Sequence, residues 1–348
     1  MINKKDKDFF LENGYLHFKK ILPQDYVQSV QNEGLSILKK NGIVDFSREI
    51  DNAFLRLNFG NDKKFFGNYA SFPKNKFNNI FEICSHIFGD ISFDISGLDN
   101  RIFCGLKNRS KDQEKRVKTS YWHIDGWNNY HFLNVQSNAM PILFSFSDNI
   151  ESGGTMVIPT SIKFVCEFMF NNPHGLHPDS MGGYSHIVPF ILERCGDEEI
   201  HQLKIEQGDV IFMHPFMLHK SSINISNTPK MVNNNHPQLR EPIKLNRQQG
   251  NYSLIERSII QNLELFDIKA KNFQRTSNRL FVSPPVSRTN LEKEREITAV
   301  FDEMKKIKQD GYITPSWVTK NHNYLSNTDM REENLCKINR YNYAQRGK

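Results

Sequence analysis

The chain has 348 residues and a formal net charge of +6, and 38% of its residues are hydrophobic. This length and composition allow a large buried core and exclude a protein that is disordered overall. The basic residues are scattered, and their densest group, at residues 107–111, is followed by acidic residues, so we predict no nucleic-acid-binding surface.

The cysteines and the N-terminus bear on the cellular compartment. The five cysteines are widely spaced and form no Cys-x-x-Cys pair, which predicts neither a disulfide framework nor a zinc site. Residues 1–8 lack the apolar segment of a signal peptide, and no apolar run reaches the roughly 18 residues of a membrane span. We therefore expect a cytoplasmic protein without membrane contact, and no feature of the sequence specifies an oligomeric state.

The N-terminal part of the chain is predicted to be mainly helical. Residues 4–12 form a short helix that ends before Gly14, and an alternating aromatic strand follows at residues 15–18. Pro23 opens a longer amphipathic helix, and residues 77–88 form another. We expect these helices to support a sheet.

Short β-like runs begin at about residue 91 and are separated by Gly, Asn, Asp and Pro. The predicted strands are 91–95, 101–106, 120–124, 139–147, 155–158, 201–205 and 209–213. Many short strands with turn signals indicate a sandwich or barrel, so we predict a mainly β fold with flanking helices, with the jelly roll as its natural form. Residues 160–176 interrupt the strands with helical character. Residues 177–199 form a long insertion, which we predict to be a mobile cover over the site.

Helices return near the C-terminus. They are predicted at 253–265 and 290–310, and a polar tail follows at 321–348. We therefore expect one catalytic domain over residues 1–275 and a helical extension with its tail over residues 276–348.

A pattern typical of metal sites lies in the aromatic run at residues 120–127. Side chains two apart in a strand share a face, so His123 and Asp125 project to the same side. One imidazole and one carboxylate are two of the three ligands in the 2-His-1-carboxylate site of non-haem Fe(II), which needs a second histidine. The alternative is that His123 is a core histidine and that Asp125 opens a turn with Gly126.

Two histidines compete for the third ligand position. His214 and His219 are five residues apart, so in a regular strand they would face opposite sides. Pro215 makes a regular strand doubtful at this point. Spacing alone therefore leaves both histidines open.

Several motifs occur in the order seen in the phytanoyl-CoA dioxygenase-like family, which the chain resembles over about residues 8–250. The motifs are Glu12-Asn13-Gly14-Tyr15, His123-Ile124-Asp125, the turn and strand at 151–159, Gly208-Asp209-Val210 and His219-x-Ser221-x-x-Asn224-x-Ser226. The four motifs from His123 onward, in this order, are far more specific than any one of them alone, and the N-terminal motif also resembles the family's opening.

The resemblance implies a double-stranded β-helix (jelly roll, cupin-like) oxygenase that uses Fe(II), 2-oxoglutarate and O2. By the family pattern, His123, Asp125 and His219 are the iron ligands, which favours His219 over His214. The implied reaction is hydroxylation, or another oxidation, of a C–H bond in a small-molecule substrate with release of succinate and CO2. The presence of Asp125 argues against a halogenase, because there a small residue replaces the carboxylate.

The resemblance also implies the residues that bind 2-oxoglutarate. Ser221 matches a residue that contacts the co-substrate carboxylate. Lys230 stands where the family has an arginine for the far carboxylate, and an ammonium holds a carboxylate less rigidly than a guanidinium does. Arg240 is a possible substitute anchor. The alternative for Lys230 is a solvated lysine at the end of a strand.

Aromatic residues near the metal motif are candidates for either a substrate pocket or the core. They are Trp122, Trp127, Tyr130, His131 and Phe132. We expect the paired glycines Gly153-Gly154 simply to permit positive φ in a tight turn. Two other functions stay open, namely a non-redox metal-dependent cupin-like enzyme and a catalytically silent binding protein of the same fold.

Overall fold

The structure is a computed structural model that describes residues 2–50, 54–59, 77–95, 101–108, 122–126, 130–149, 152–176, 187–248 and 250–276. The described α-helices are α1 (Lys4–Asn13), α2 (Gln24–Lys40), α3 (Asn78–Phe88), α4 (Ser161–Phe170), α5 (Ile187–Arg194) and α6 (Leu254–Glu264). The described strands are β1 (Tyr15–Phe18), β2 (Phe54–Asn58), β3 (Phe93–Ile95), β4 (Arg101–Gly105), β5 (Ile142–Ser145), β6 (Thr155–Ile158), β7 (His201–Gln202), β8 (Val210–Met213), β9 (Leu218–Ser221), β10 (Lys230–Asn235) and β11 (Pro237–Leu239).

Antiparallel sheets form the centre of the fold. Six strands pair in the order β1-β8-β5-β10-β4-β2, and β7-β6-β9 form a second sheet. A third, two-stranded sheet pairs β11 with β3. This antiparallel arrangement with flanking helices confirms the predicted jelly-roll class.

The two faces of the six-stranded sheet have different neighbours. On one face, Phe144 of β5 lies 5.8 Å from Phe77, and Phe146 lies 5.8 Å from Tyr26 of α2, measured between ring centroids. On the other face, Asn234 of β10 is the register partner of Leu143. Because partners in register share a face, this second face is the one directed away from Phe77 and α2.

The N-terminal helix and strand are tied to the sheet by Gly14 and Asp209. Gly14 caps α1 with φ 72°, and a Cβ at this position would lie 2.2 Å from Ile162 Cδ1. The buried carboxylate of Asp209 accepts hydrogen bonds from His17 Nε2 at 2.6 Å and from the backbone amide of Lys20 at 2.9 Å. Gly14 and Asp209, which belong to two of the family motifs, therefore have a structural role, since they hold the N-terminal helix and strand against the rest of the fold.

The predicted helices at 4–12, 77–88 and 253–265 are confirmed within one or two residues. Ser253 and Glu256 form a capping box that starts α6. The predicted strand at 120–124 is wrong in its described part, since residues 122–126 contribute a single β-bridge.

Other predictions fall partly outside the described residues. The predicted helix at 290–310 and the predicted tail at 321–348 lie wholly outside the described residues. The predicted division between a catalytic domain and a C-terminal extension at residue 276 therefore stays a prediction. Of the predicted cover, residues 177–186 lie outside as well. α5 packs on α4, with the rings of Phe190 and Phe168 6.2 Å apart between centroids. Across the described residues, no helix has both the length and the apolar character that crossing a membrane requires.

Candidate metal centre

A β-bridge brings the two predicted histidine ligands face to face. The backbone amide of His123 donates to the carbonyl of His219 at 3.1 Å, and His219 returns the bond at 3.0 Å. The two imidazole rings therefore lie 4.4 Å apart between centroids. Asp125, two residues further on, lies between them, with Oδ1 at 3.5 Å from His123 Nε2 and Oδ2 at 3.4 Å from His219 Nε2.

These three side chains fit a metal ion such as Fe(II). Their ligand atoms all lie within 4.8 Å of one another. His219 Nδ1 lies 3.1 Å from the carbonyl oxygen of Met217, which accepts its proton in a hydrogen bond. That bond fixes the tautomer and leaves a lone pair on His219 Nε2, which is buried and makes no hydrogen bond. A buried nitrogen lone pair beside a carboxylate is the donor set of a divalent metal site.

The electrostatics keep Asp125 ionised. Burial acts to raise the pKa of Asp125, but the neighbouring imidazoles of His219 and His236 outweigh it and hold this pKa well below its ordinary value. The carboxylate, 17% exposed, therefore supplies the negative charge of the site.

Two residues that the sequence did not predict hold the Asp125 carboxylate. Asn234 Nδ2 donates to Oδ2 at 2.8 Å, and His236 Nε2 lies 2.9 Å from the same oxygen. An ionised carboxylate only accepts, so His236 donates as well. With Oδ2 engaged twice, Oδ1 is the oxygen directed towards His123. The sequence does contain a signal for these residues. Lys230, Asn234 and His236 are an even number of positions apart, so in an extended strand their side chains lie on the same face as the predicted co-substrate residue Lys230.

His214, the competing histidine, lies apart from this group. It is fully buried, and its Nδ1 accepts a hydrogen bond from the backbone amide of Phe216 at 3.1 Å. Its ring packs against Phe10 and Phe216, at 6.2 and 5.3 Å between centroids. Burial lowers the pKa of His214 to about 3, so the imidazole is neutral at physiological pH.

Lys230 lies on the same face of β10 as Asn234 and is 8% exposed. Its Nζ donates to the carbonyl oxygen of Asp148. Gly153, with φ 76°, packs against its stem, because a Cβ there would lie 2.5 Å from Lys230 Cγ. The positive φ expected of the glycine pair thus holds for Gly153. At Gly154 the constraint is steric, since a Cβ added at this position would lie 2.6 Å from the Leu203 carbonyl oxygen.

The other two predicted co-substrate residues differ in position. Ser221 is the second residue after His219 in β9, so both side chains share a face, and Ser221 is exposed. Arg240 lies at the surface with its side chain 70% exposed, and it forms an ion pair with Asp94 at 2.5 Å. The structure brings Ser221 to the face of the metal group and places Arg240 at the edge of the two-stranded sheet.

Asn224 of the resemblance motif organises the turn between β9 and β10. Its Nδ2 donates to the carbonyls of Gly105 and Thr228, at 2.9 and 2.8 Å. Its Oδ1 accepts from the amide of Ser226 at 2.9 Å and from Ser152 Oγ at 3.3 Å. The motif therefore holds β10, and with it Lys230, beside the glycine turn.

A cleft that is open to solvent adjoins the metal group, since Asp125 is among its lining residues. Residues that line it include Asp125, Tyr130, His131, Phe132, Asn138 and Arg275. Three of the predicted aromatic residues thus line this cleft. Trp122 is fully buried in the core, with Lys220 Nζ 4.8 Å from its ring centroid, and Trp127 lies outside the described residues.

Comparisons with known proteins give one family match. A family model described as phytanoyl-CoA dioxygenase (PhyH) matches residues 10–232. No curated protein sequence matches the chain. The matched range runs from α1 into β10 and includes the group of His123, Asp125 and His219.

Solved structures give weaker likenesses. The non-heme alpha ketoglutarate dependent carbocyclase SnoK from nogalamycin biosynthesis is 14% identical with a TM-score of 0.45, over 81% of this chain and 97% of that chain. HygX from Streptomyces hygroscopicus, solved with nickel, 2-oxoglutarate and hygromycin B, is 11% identical with a TM-score of 0.38, over 68% and 87%. EctD from S. alaskensis is 13% identical with a TM-score of 0.38, over 73% and 86%. At these TM-scores, the likenesses add no argument of their own.

Proposed function

Since the chain belongs to the phytanoyl-CoA dioxygenase family of Fe(II)- and 2-oxoglutarate-dependent oxygenases, we propose that it hydroxylates a C–H bond of a small molecule. The observation that carries this proposal is the convergence of His123, Asp125 and His219 beside the cleft. Three ligands on one side of an Fe(II) ion leave positions open for a co-substrate and O2. When bound, the iron would activate O2, which takes two electrons from 2-oxoglutarate as it is decarboxylated and two from the C–H bond, so that the products are succinate, CO2 and the hydroxylated molecule.

The residues of the chain position the metal and offset part of its charge. His123 and His219 contribute neutral nitrogens, and Asp125 contributes one negative charge, so the ion keeps a net positive charge that attracts the dicarboxylate. Asn234 and His236 fix the Asp125 carboxylate through Oδ2. A ligand held by a second layer of hydrogen bonds keeps its orientation during exchange of the other ligands.

We assign Lys230 to the far carboxylate of 2-oxoglutarate. Lys230 and Asn234 are four residues apart on one face of β10, a separation of about 13 Å at ~3.3 Å per residue. The lysine stem and a five-carbon dicarboxylate can bridge that separation together. The Lys230 ammonium is 8% exposed, and a positive charge in such a position attracts a carboxylate that comes within reach. Ser221, on the His219 face of β9, is positioned to add a hydroxyl donor.

The test is titration of 2-oxoglutarate against succinate formation by the iron-loaded protein. Lys230→Met keeps most of the length and removes the charge, so the 2-oxoglutarate requirement should rise by roughly 30-fold or more, from ~2–5 kcal/mol for truncating one partner of a buried pair. Lys230→Arg should retain co-substrate binding. Arg240→Met is the matched control and should titrate like wild type, since its side chain is 70% exposed.

Other outcomes would replace the proposal. If Arg240→Met raises the requirement and Lys230→Met does not, the anchor is Arg240. Binding of metal without 2-oxoglutarate would favour the non-redox cupin-like enzyme. Binding of both without succinate from any substrate would favour the silent binding protein. Mass spectrometry of the product distinguishes hydroxylation, which adds one oxygen atom, from desaturation or ring closure.

A further inference from the structure

The orientation of His219 depends on a backbone carbonyl that belongs to a tight turn. A neutral His219 can bind a metal through Nε2 only while its proton stays on Nδ1, which donates to the carbonyl oxygen of Met217 at 3.1 Å. Met217 is the last residue of the turn at 214–217, which connects β8 to β9. The direction of the Met217 carbonyl therefore follows from the conformation of this turn.

His214 holds the first two peptide groups of the turn. Its Nδ1 accepts a hydrogen bond from the amide of Phe216 at 3.1 Å, and its carbonyl accepts one from the amide of Met217 at 3.1 Å. Since Nδ1 accepts, the ring proton lies on Nε2, which is buried and makes no hydrogen bond to the described residues. A buried donor without a partner costs stability, and a phenyl ring of similar size would avoid that cost. What the imidazole provides and a phenyl ring lacks is the Nδ1 acceptor for the turn.

Ser161, the first residue of α4, holds the third peptide group, which carries the Met217 carbonyl. Ser161 Oγ accepts a hydrogen bond from the amide of Leu218 at 2.8 Å and donates to the carbonyl of Ile158 at 2.6 Å. The C=O of Met217 and the N–H of Leu218 belong to one planar trans peptide group, so they point in opposite directions. With its N–H fixed on Ser161, this peptide group directs its carbonyl to the opposite side, where His219 Nδ1 lies.

The packing around the turn holds both residues in place. His214 and Ser161 are both fully buried. The His214 ring packs against Phe10 of α1 at 6.2 Å between centroids, and the His214 amide donates to the carbonyl of Gly14 at 2.7 Å. Gly14 also lies so close to the turn that a Cβ there would be 2.7 Å from Met217 Cε. The N-terminal helix and α4 thus both contact the turn.

We propose that His214 and Ser161 are positioning residues for the metal ligand His219. Through three consecutive peptide groups they fix the Met217 carbonyl, which keeps the His219 proton on Nδ1 and leaves the Nε2 lone pair for the metal. This inference rests on the proposed function and deepens it, because it names the residues that prepare the site before a metal binds. His214 thus acts on the metal centre without being a ligand.

Three variants and a control separate an effect on His219 from a general loss of stability. His214→Leu occupies much of the space of the ring but removes the acceptor, whereas His214→Asn restores an acceptor near the position of Nδ1. Ser161→Ala removes the acceptor for the third peptide group. Gly89→Ala is the control, because it strains a glycine with φ 64° that ends α3 and packs against Ser253, away from the turn.

The first measurement locates the proton on His219 in the metal-free protein. Histidines labelled with nitrogen-15 are observed by long-range proton–nitrogen NMR at about two pH units above the ordinary imidazole pKa, and the His219 signals are identified by their absence from His219→Ala. Wild type, His214→Asn and Gly89→Ala should show the Nδ1–H tautomer alone. His214→Leu and Ser161→Ala should show a mixture with the Nε2–H tautomer, because the carbonyl no longer holds Nδ1.

The second measurement is calorimetry of Ni(II) binding to the folded protein. His214→Leu and Ser161→Ala should bind Ni(II) about 3- to 10-fold more weakly than wild type, the effect of losing one neutral hydrogen bond in the support of a ligand. The restored acceptor of His214→Asn should bring the affinity back to within about twofold of wild type. Gly89→Ala should unfold at a lower temperature and keep the wild-type affinity.

Three results would overturn the inference. They are the Nδ1–H tautomer alone together with unchanged Ni(II) affinity in His214→Leu and Ser161→Ala, an affinity of His214→Asn as weak as that of His214→Leu, and an equal loss of affinity in Gly89→Ala. Thermal unfolding verifies the folding of each variant, and if either His214→Leu or Ser161→Ala does not fold, the other decides. If wild type binds no Ni(II), the proposed function fails, while the tautomers of the metal-free variants still show whether His214 and Ser161 position His219.

Discussion

Removing one of the two hydrogen bonds to Asp125 Oδ2 should weaken metal binding without unfolding the protein. Asn234→Leu keeps the approximate size of the side chain and removes the donor that lies 2.8 Å from Oδ2. A hydrogen bond to a charged group contributes about 1.5–3 kcal/mol. At ~1.4 kcal/mol for each factor of ten, this predicts about 10- to 150-fold weaker metal affinity. His236→Phe, which removes the donor at 2.9 Å, should fall in the same range.

The assay is isothermal calorimetry of Ni(II) binding. Asn233→Ala is the control, because Asn233 is buried on the opposite face of the same strand, towards the helices. Asn233→Ala should lower the free energy of unfolding and leave the metal affinity of the folded protein unchanged. If Asn234→Leu binds Ni(II) within twofold of wild type, the two donors do not position Asp125, and the reasoning is refuted.

Three further predictions concern the surroundings of the site. Burial lowers the pKa of His214 in the folded state to about 3, against an ordinary value of 6.5. Between these two pH values the imidazole is protonated in the unfolded chain alone. The contribution of His214 to the free energy of unfolding is therefore complete above pH 6.5 and is lost as the pH falls towards 3. His214→Asn, which keeps an acceptor near the Nδ1 position, should therefore lose about 3 kcal/mol less than wild type between pH 7 and 4.5 in urea unfolding, and equal losses would contradict this. Gly153→Ala should raise the 2-oxoglutarate requirement, because its Cβ would lie 2.5 Å from Lys230 Cγ, and an unchanged titration curve would show that the stem of Lys230 moves without consequence. Asp209→Ala removes the acceptor of three hydrogen bonds, to His17 and to the amides of Lys20 and Glu206, and should cost about 3 kcal/mol or more of unfolding free energy; a loss below 1 kcal/mol would mean that these hydrogen bonds contribute little.

Local signals explain the parts of the fold that the sequence predicted. Gly14 ends α1 with a positive φ, and the capping box of Ser253 and Glu256 starts α6, so both helix boundaries depend on residues within a few positions. The strand at 155–158 follows the glycine turn directly and was predicted without error. These elements need no information from distant parts of the chain.

The missed elements depend on contacts over long sequence distances. β10 contains three consecutive asparagines, which are unfavourable in strands, and it forms because β4 and β5 pair with it on both sides. Missing this strand concealed Asn234 and His236. The choice between His214 and His219 likewise depends on the bridge between His219 and His123.

The cleft could not be predicted from motifs. Arg275 belongs to no motif and lies beyond the last predicted strand, so its place beside Phe132 is visible in the tertiary structure alone. The aromatic residues after the metal motif were predicted as pocket or core without a decision between them. In the structure Trp122 belongs to the core, because it is fully buried, and Tyr130 belongs to the pocket, because it lines the cleft.

Metal-dependent binding of 2-oxoglutarate tests the central claim most directly. Calorimetry should show one metal ion and one 2-oxoglutarate per chain for wild type and for His214→Asn, with no 2-oxoglutarate bound before metal is added. His219→Ala should lose both, because its Nε2 is the buried lone pair beside Asp125. If His219→Ala keeps the metal and 2-oxoglutarate while His214→Asn loses them, the ligand group formed by His123, Asp125 and His219 is not the metal centre of this protein.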